Sequence, residues 1–465
     1  MRTLTIIDRL FVWLIFCHYL IYELVFFFYY DFAGGIVTPF VSAWKLAFPV
    51  VLFIYGCVAR GPVLRRVIWP LAGYLIAFCL FLIWAVIPSI LSPFGAASIL
   101  EWLKLLPRAL FFLGLVGFVL SKPKAFDLLI RILVGWAVIC VVQYSILVIS
   151  RGYETLYKFS GIPVSFAGPY GLLGNVSSLM TFPGLSFQIA RLCGFWNEPS
   201  NASASLFAAF FFSRYLFQIH GAKRWRYASY VLFVGGVLCL SNAGYLAIAI
   251  ALAFGSIVSR GWRVSSSFRR ICLLAFGLTL ILIAVFGRGY VAEKLPDNDW
   301  ARAFVGAREL NASGDSESDP YGGRIDLLTS VYAEVVKRPI GLGIPPFGRA
   351  DVQNISATAP VYWLLATGII GCVLLLLREG FAAMAAFQYS RRSLLVRTAA
   401  QAWIVVVVQQ SVYGSWMNPL YFIVTTGLLT VAASHFGRDA DISESQYNRL
   451  INVKAPASIY IQGSK

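Results

Sequence analysis

Runs of roughly 20 apolar residues, the length that carries a helix across a bilayer's hydrocarbon core, recur from one end of the chain to the other. They lie near 10–30, 37–58, 67–87, 104–120, 128–149, 199–218, 228–241, 243–258, 271–287, 357–377, 398–413 and 417–435. Each run is continuously apolar rather than alternating, which marks spanning helices and not barrel strands. Charged residues make up 13% of the 465 positions and mean hydropathy is +0.75. A soluble domain carries about 25% charged residues. The expectation is an all-α integral membrane protein with about 12 transmembrane helices. The run 10–30 has no small-residue cleavage site, so it reads as a helix that is kept and not as a secretory signal.

The formal net charge of +17 does not point to nucleic acid, because its distribution follows the helices. Arg60, Arg65 and Arg66 follow the second run, Lys122 and Lys124 the fourth, and Lys223, Arg224 and Arg226 the sixth. Arg260, Arg263, Arg269 and Arg270 follow the eighth; Arg378, Arg391, Arg392 and Arg397 follow the tenth. Basic loops stay in the cytoplasm. Every even-numbered boundary is therefore expected there, and both termini with it. The long loops 150–198 and 288–356 then face outward. This divides the chain into a five-helix region 1–149, the first outward loop, central helices 199–287, the second outward loop, helices 357–437 and a cytoplasmic tail 438–465.

Loops longer than about 15 residues in a compact protein tend to be functional. The first is rich in Gly, Pro, Ser and aromatics, which suits a segment lying in the membrane interface. It ends on Arg191-Leu192-Cys193-Gly194-Phe195-Trp196-Asn197-Glu198-Pro199-Ser200. Pro199 and Ser200 mark a helix start, and Glu198 faces the positive end of that helix's dipole. Two readings stand: Glu198 caps the helix while Arg191 snorkels to headgroups, or the two form an outward site with one cation and one carboxylate.

The second loop carries an acidic patch at 314–319 and then Tyr321-Gly322-Gly323-Arg324. From Arg324 to Arg338, Ile325, Leu328, Tyr332 and Val335 fall on one stripe of an amphipathic helix. Pro339 stops it, and Gly341 and Gly343 allow a sharp return to the tenth run. An arginine at a helix N-terminus opposes the dipole. Arg324 therefore suits either a lipid headgroup or a phosphate site, where a guanidinium binds bidentately. Arg288 follows the ninth run between two glycines and is the next outward candidate, with Arg338 after it. Lys45 lies inside the second run, where an ionisable residue is a functional candidate by default or snorkels outward.

Seven of the eight cysteines fall in apolar runs, with only Cys193 in a polar loop, and His18, His220 and His435 are far apart in sequence. Neither a disulfide framework nor a metal cluster is indicated, so neither metal nor cofactor is expected.

With these residues in place, the chain resembles the bacterial O-antigen ligase and polysaccharide polymerase superfamily. The resemblance covers the run count, the two outward loops and a C-terminal pattern. That pattern reads Gly323-Arg324, then Arg338-Pro339-Ile340-Gly341-Leu342-Gly343, then Thr367-Gly368-Ile369-Ile370-Gly371. Upstream, 194–200 is similar to the Gly-Phe-x-x-Glu-Pro-Ser of exopolysaccharide polymerases. Ser241-Asn242 stands where the family often has Ser-Arg, and 355–360 lacks the histidine of the ligases. Both differences weaken the ligase reading and leave the polymerase reading standing.

The resemblance implies a GT-C-like membrane glycosyltransferase in the bacterial inner membrane. Its donor and acceptor would be undecaprenyl-pyrophosphate-linked oligosaccharides, joined on the periplasmic face. Arg324 and Arg191 would grip the pyrophosphate under a lid formed by 324–338, and Glu198 would take the acceptor proton. Arg288, Arg338 and Lys45 would assist substrate binding. Membrane lipids are expected partners, and a chain-length regulator is a further candidate. Two alternatives are a ligase that moves the glycan to another acceptor and a non-enzymatic polysaccharide transporter or flippase.

Overall fold

A computed structural model describes residues 4–23, 37–57, 69–149, 179–181, 188–190, 199–239, 241–259, 335–345, 359–391, 393–412 and 416–436. The helices are α1 (Ile6–Glu23), α2 (Val37–Cys57), α3 (Trp69–Ile90), α4 (Ala96–Leu103), α5 (Leu105–Ser121) and α6 (Pro123–Ile149), followed by α7 (Pro199–His220), α8 (Lys223–Leu238), α9 (Asn242–Ser259), α10 (Ala359–Tyr389), α11 (Leu394–Val412) and α12 (Pro419–Phe436). Six stretches among the described residues are long and apolar enough to cross a membrane: Pro39–Gly56, Pro70–Ile90, Ala96–Ser121, Pro123–Val142, Ser200–His220 and Ala359–Tyr389. Ala243–Val258 and Pro419–Ala433 are shorter apolar helices. The chain is a helical, multi-pass membrane protein.

Local chemistry sets the helix starts. Pro123, Pro199 and Pro419 each occupy a first helical position, where the missing N–H costs nothing. The Thr5 N–H donates to Asp8 Oδ2 at 2.9 Å and the Asp8 N–H to Thr5 Oγ1 at 3.1 Å, a reciprocal cap on α1. Asn418 Oδ1 accepts the Tyr421 N–H at 2.8 Å and caps α12.

Three helices form the N-terminal unit. Phe48 faces Phe111 at 6.4 Å and Tyr55 faces Phe118 at 5.8 Å between ring centres, so α2 and α5 run parallel. Phe11 stacks on Tyr55 at 3.9 Å while His18 meets Phe48, so α1 runs against both. Glycines bring α2 and α5 together: a Cβ on Gly114 would sit 2.6 Å from the Phe53 nitrogen. Close backbone approach through small residues is the usual basis of helix association in membranes. One end of this unit is pinned by Lys122 on Asp8 at 2.7 Å, with the Tyr55 hydroxyl donating to the same carboxylate at 2.9 Å. Burial opposes the charge on Asp8, but the Lys122 ammonium, Thr5 and Tyr55 override it and hold the carboxyl well below its usual range.

The second half packs α10 antiparallel on α3. Trp84 Nε1 donates to the Thr367 carbonyl at 2.8 Å, and Gly73 lies under the Phe381 ring. Helix α11 lies against both α7 and α9, with Gln409 Nε2 on Asn201 Oδ1 at 3.3 Å and Gln401 Nε2 on the Ala251 carbonyl at 3.1 Å.

Three features differ from expectation. Helix α10 runs on to Tyr389, which takes Arg378 out of the expected basic loop and into a helix interior. Helix α8 begins at Lys223, so the basic residues after the sixth run form a first helical turn; lysine and arginine are good helix formers. The first long loop contains an antiparallel strand pair, β1 (Leu179–Thr181) with β2 (Gln188–Ala190), in which Leu179 faces Ala190 and Thr181 faces Gln188. The ninth apolar run, 271–287, lies outside the described residues.

Candidate functional site

Helix α10 is broken at Gly368, whose φ of 68° and ψ of −170° are essentially restricted to glycine. The turn after Arg338 enters the break. The Leu342 N–H donates to the Leu365 carbonyl at 2.8 Å, and the Gly343 N–H to the Ala366 carbonyl at 2.9 Å. In return the Ile369 N–H donates to the Pro339 carbonyl at 3.1 Å. Irregular backbone at membrane depth must satisfy its polar groups within the protein, and here turn and helix do so for each other. Ser92 Oγ adds a bond to the Leu342 carbonyl at 2.6 Å.

Glycine is required on both sides of this joint. Gly341 and Gly343 have φ of 106° and 81°, and a Cβ on Gly341 would lie 2.6 Å from the Ala366 carbonyl oxygen. A Cβ on Gly368 would lie 2.5 Å from the Ile340 carbonyl oxygen. Two pieces of sequence about 25 residues apart, Pro339–Gly343 and Thr367–Gly371, therefore interlock. Just before the turn, Val335 to Lys337 are helical. Val335 is buried against Val361 and Leu365, with Phe94 alongside. Its position on the expected apolar stripe is thus the face turned to protein. Arg338 is exposed at the end of this segment.

A second group of side chains gathers at the same end of the bundle. Lys45 on α2 is half-buried, with its ammonium 4.8 Å from the centre of the Tyr22 ring. The Arg108 guanidinium in the first turn of α5 is within electrostatic range of Lys45, and it acts on the Tyr362 hydroxyl of α10 together with Glu101 of α4. Arg108 Nε is buried without a hydrogen-bond partner. Glu101 is paired with Lys104 at 2.6 Å. His18 lies below Lys45, stacked on Phe111 at 4.5 Å. Two cations within electrostatic range of each other, Lys45 over the Tyr22 ring and Arg108 with an unused buried donor, form an arrangement that attracts an anion.

A third group lies deeper and was not expected. Arg378 is fully buried, its Nη2 2.7 Å and its Nε 2.9 Å from Glu379 Oε1. The Tyr421 hydroxyl donates to the same oxygen at 2.5 Å, and the Tyr74 and Tyr421 hydroxyls are 2.8 Å apart. The guanidinium also faces the rings of Tyr74, Phe78 and Tyr421 at 5.1–5.6 Å and donates to the Trp416 carbonyl at 3.3 Å. Glu379 Oε2 is buried with no partner. This cluster ties α10 to α3 and α12.

Of the residues singled out from sequence, Lys45 and Arg338 lie at the same end of the bundle. Arg324, Arg191, Glu198 and Arg288 lie outside the described residues. Among the described residues, no three His, Cys, Asp or Glu side chains gather to hold a metal ion. Arg108 was missed, although the rule that singled out Lys45 applies to it: it is a cation inside an apolar run. Arg378-Glu379 was missed because the run was ended at 377, although Gly380 to Ala386 resumes the apolar pattern.

No protein-family model matches the chain, and no curated protein matches it significantly.

Proposed function

We propose that the chain is a membrane polymerase with about 12 spans in a GT-C-like arrangement. It joins undecaprenyl-pyrophosphate-linked oligosaccharide repeat units into O-antigen or exopolysaccharide chains on the periplasmic face of the bacterial inner membrane. The observation that carries this is the joint at Gly368. The two sequence pieces on which the resemblance rests most heavily are hydrogen-bonded to each other, at the end of the bundle where Lys45 and Arg108 also lie. Val335 to Lys337, the last residues of the expected lid segment, lead into this joint, which supports a lid closing over this end.

The chemistry asks little beyond this. An acceptor hydroxyl attacks the anomeric carbon of the donor sugar. The carbon–oxygen bond to the lipid pyrophosphate breaks, and the electron pair leaves with the pyrophosphate. That group leaves readily without a general acid. The site must stabilise the charge that builds on its oxygens, which preorganised cations in a dry site do well. Arg324 and Arg191 take that role in this reading, with Arg288, Arg338 and Lys45 holding the substrate. Glu198 accepts the proton of the attacking hydroxyl, an effect of about 10²–10⁴-fold in rate.

Arg324→Ala is expected to abolish chain extension while the protein inserts at normal levels; full-length polymer from this variant would sink the assignment. Deleting the gene separates the alternatives on a glycan gel. Single repeat units indicate lost polymerisation, intact polymer still on its lipid carrier indicates a ligase, and no outward glycan indicates a transporter.

A further inference from the structure

A cleft of about 270 Å³ opens between α7, α9 and α11 at the opposite, basic end of the bundle. Its polar lining is Arg214 and Gln218 from α7, Ser256 from α9, and Arg397, Thr398 and Gln401 from α11. None of the lining residues is acidic. Among the described residues neither arginine meets a carboxylate, although both are accessible: Arg214 is exposed and lies 5.7 Å over the Phe210 ring, and Arg397 is half-buried. Gly255 leaves room for Gln401 to cross from α11 and bond the Ala251 carbonyl at 3.1 Å, which forms the floor. The remaining walls, Phe211, Leu252 and Leu394, are apolar.

We infer that this cleft binds the phosphodiester headgroup of an anionic phospholipid. Two guanidiniums, with the Gln218 amide and the Thr398 hydroxyl in the same lining, match phosphate oxygens. The volume lies just under the ~300 Å³ at which small-molecule pockets begin, which suits a headgroup. The apolar walls favour a lipid over free phosphate, because they give the first carbons of an acyl chain somewhere to lie. Basic pockets between helices on the cytoplasmic side are known binding places for anionic headgroups. The basic residues that bracket these helices in sequence, Lys223 to Arg226 and Arg391 to Arg392, give this end the charge that the positive-inside rule assigns to the cytoplasm. The site is separate from the sugar-transfer chemistry proposed above and does not depend on it.

The test is thermal unfolding of the purified full-length protein in detergent, with short-chain phosphatidylglycerol, short-chain phosphatidylcholine or inorganic phosphate added. A ligand that binds only the folded state raises the midpoint with concentration. Phosphatidylglycerol is expected to raise it, more at low salt than at high, and the other two are not. In the double variant Arg214→Gln, Arg397→Gln the apparent affinity falls at least ten-fold. Ser256→Trp, which fills the cleft and keeps both arginines, gives the same loss and guards against a variant that merely unfolds. An equal shift with phosphatidylcholine, an equal shift with inorganic phosphate, or an undiminished shift in both variants would overturn the assignment.

Discussion

Alanine at Gly368 tests the joint between the turn at 339–343 and α10. Its φ of 68° with ψ of −170° lies in a region that a side chain enters at a cost of about 1–3 kcal/mol. The added Cβ would lie 2.5 Å from the Ile340 carbonyl oxygen, which is backbone and cannot rotate away. The turn must therefore withdraw, and with it the bonds from Leu342 and Gly343 to the helix and from Ile369 to Pro339. At roughly 0.5–1.5 kcal/mol for each of the three, the total is about 2.5–7.5 kcal/mol. Gly380 is the control on the same helix. Nothing lies within 4 Å of a Cβ built there, so Gly380→Ala is expected to be neutral or to stabilise by about 0.5–1 kcal/mol. Reversible unfolding of both variants in mixed micelles reads the difference, and chain extension in cells reads its functional consequence. Equal midpoints for Gly368→Ala and Gly380→Ala would refute the account of the broken helix.

Three further outcomes are expected. Arg378→Met leaves the Glu379 carboxylate buried without its cation and costs about 3–5 kcal/mol, whereas Arg378→Met with Glu379→Gln costs much less; a double-mutant cycle in the same micelles gives the coupling. Lys45→Ala and Arg108→Ala are each expected to weaken binding of a lipid pyrophosphate by ten-fold or more in a direct binding assay, since a hydrogen bond to a charged group is worth about 1.5–3 kcal/mol. Asp8 has a depressed folded-state pKa. Its contribution to stability is therefore complete above the unfolded value of about 3.9 and is lost as pH falls below it toward the folded value. Asp8→Asn should remove that acid-side slope in unfolding measured between about pH 5 and 3.

Much of the helical architecture was legible because a membrane imposes one rule: apolar length. Apart from α4, which falls between the third and fourth runs, the described helices cover apolar runs, and caps such as Asn418 before Tyr421 or Pro at the starts of α6, α7 and α12 are local signals. Helix ends were less legible, because charge was taken to mean loop. Arg378 and Glu379 neutralise each other inside α10, and Lys223 to Arg226 coil into the first turn of α8. The glycines of 341, 343 and 368 announced sharp turns but not that the turns engage each other, since pairing between distant segments leaves no periodicity. Arg108 was legible as a cation inside an apolar run, but its neighbour was not: only the parallel packing of α2 on α5, set by Gly56 and Gly114, brings it toward Lys45.

The most direct measurement uses the purified protein in lipid nanodiscs with a defined undecaprenyl-pyrophosphate-linked oligosaccharide. Products and released lipid are quantified together by mass spectrometry. The account predicts that one undecaprenyl pyrophosphate is released for each new glycosidic bond, with lipid-linked dimers appearing before longer chains. Folded protein that leaves the single repeat units untouched, or that moves them across the bilayer without joining them, would contradict it.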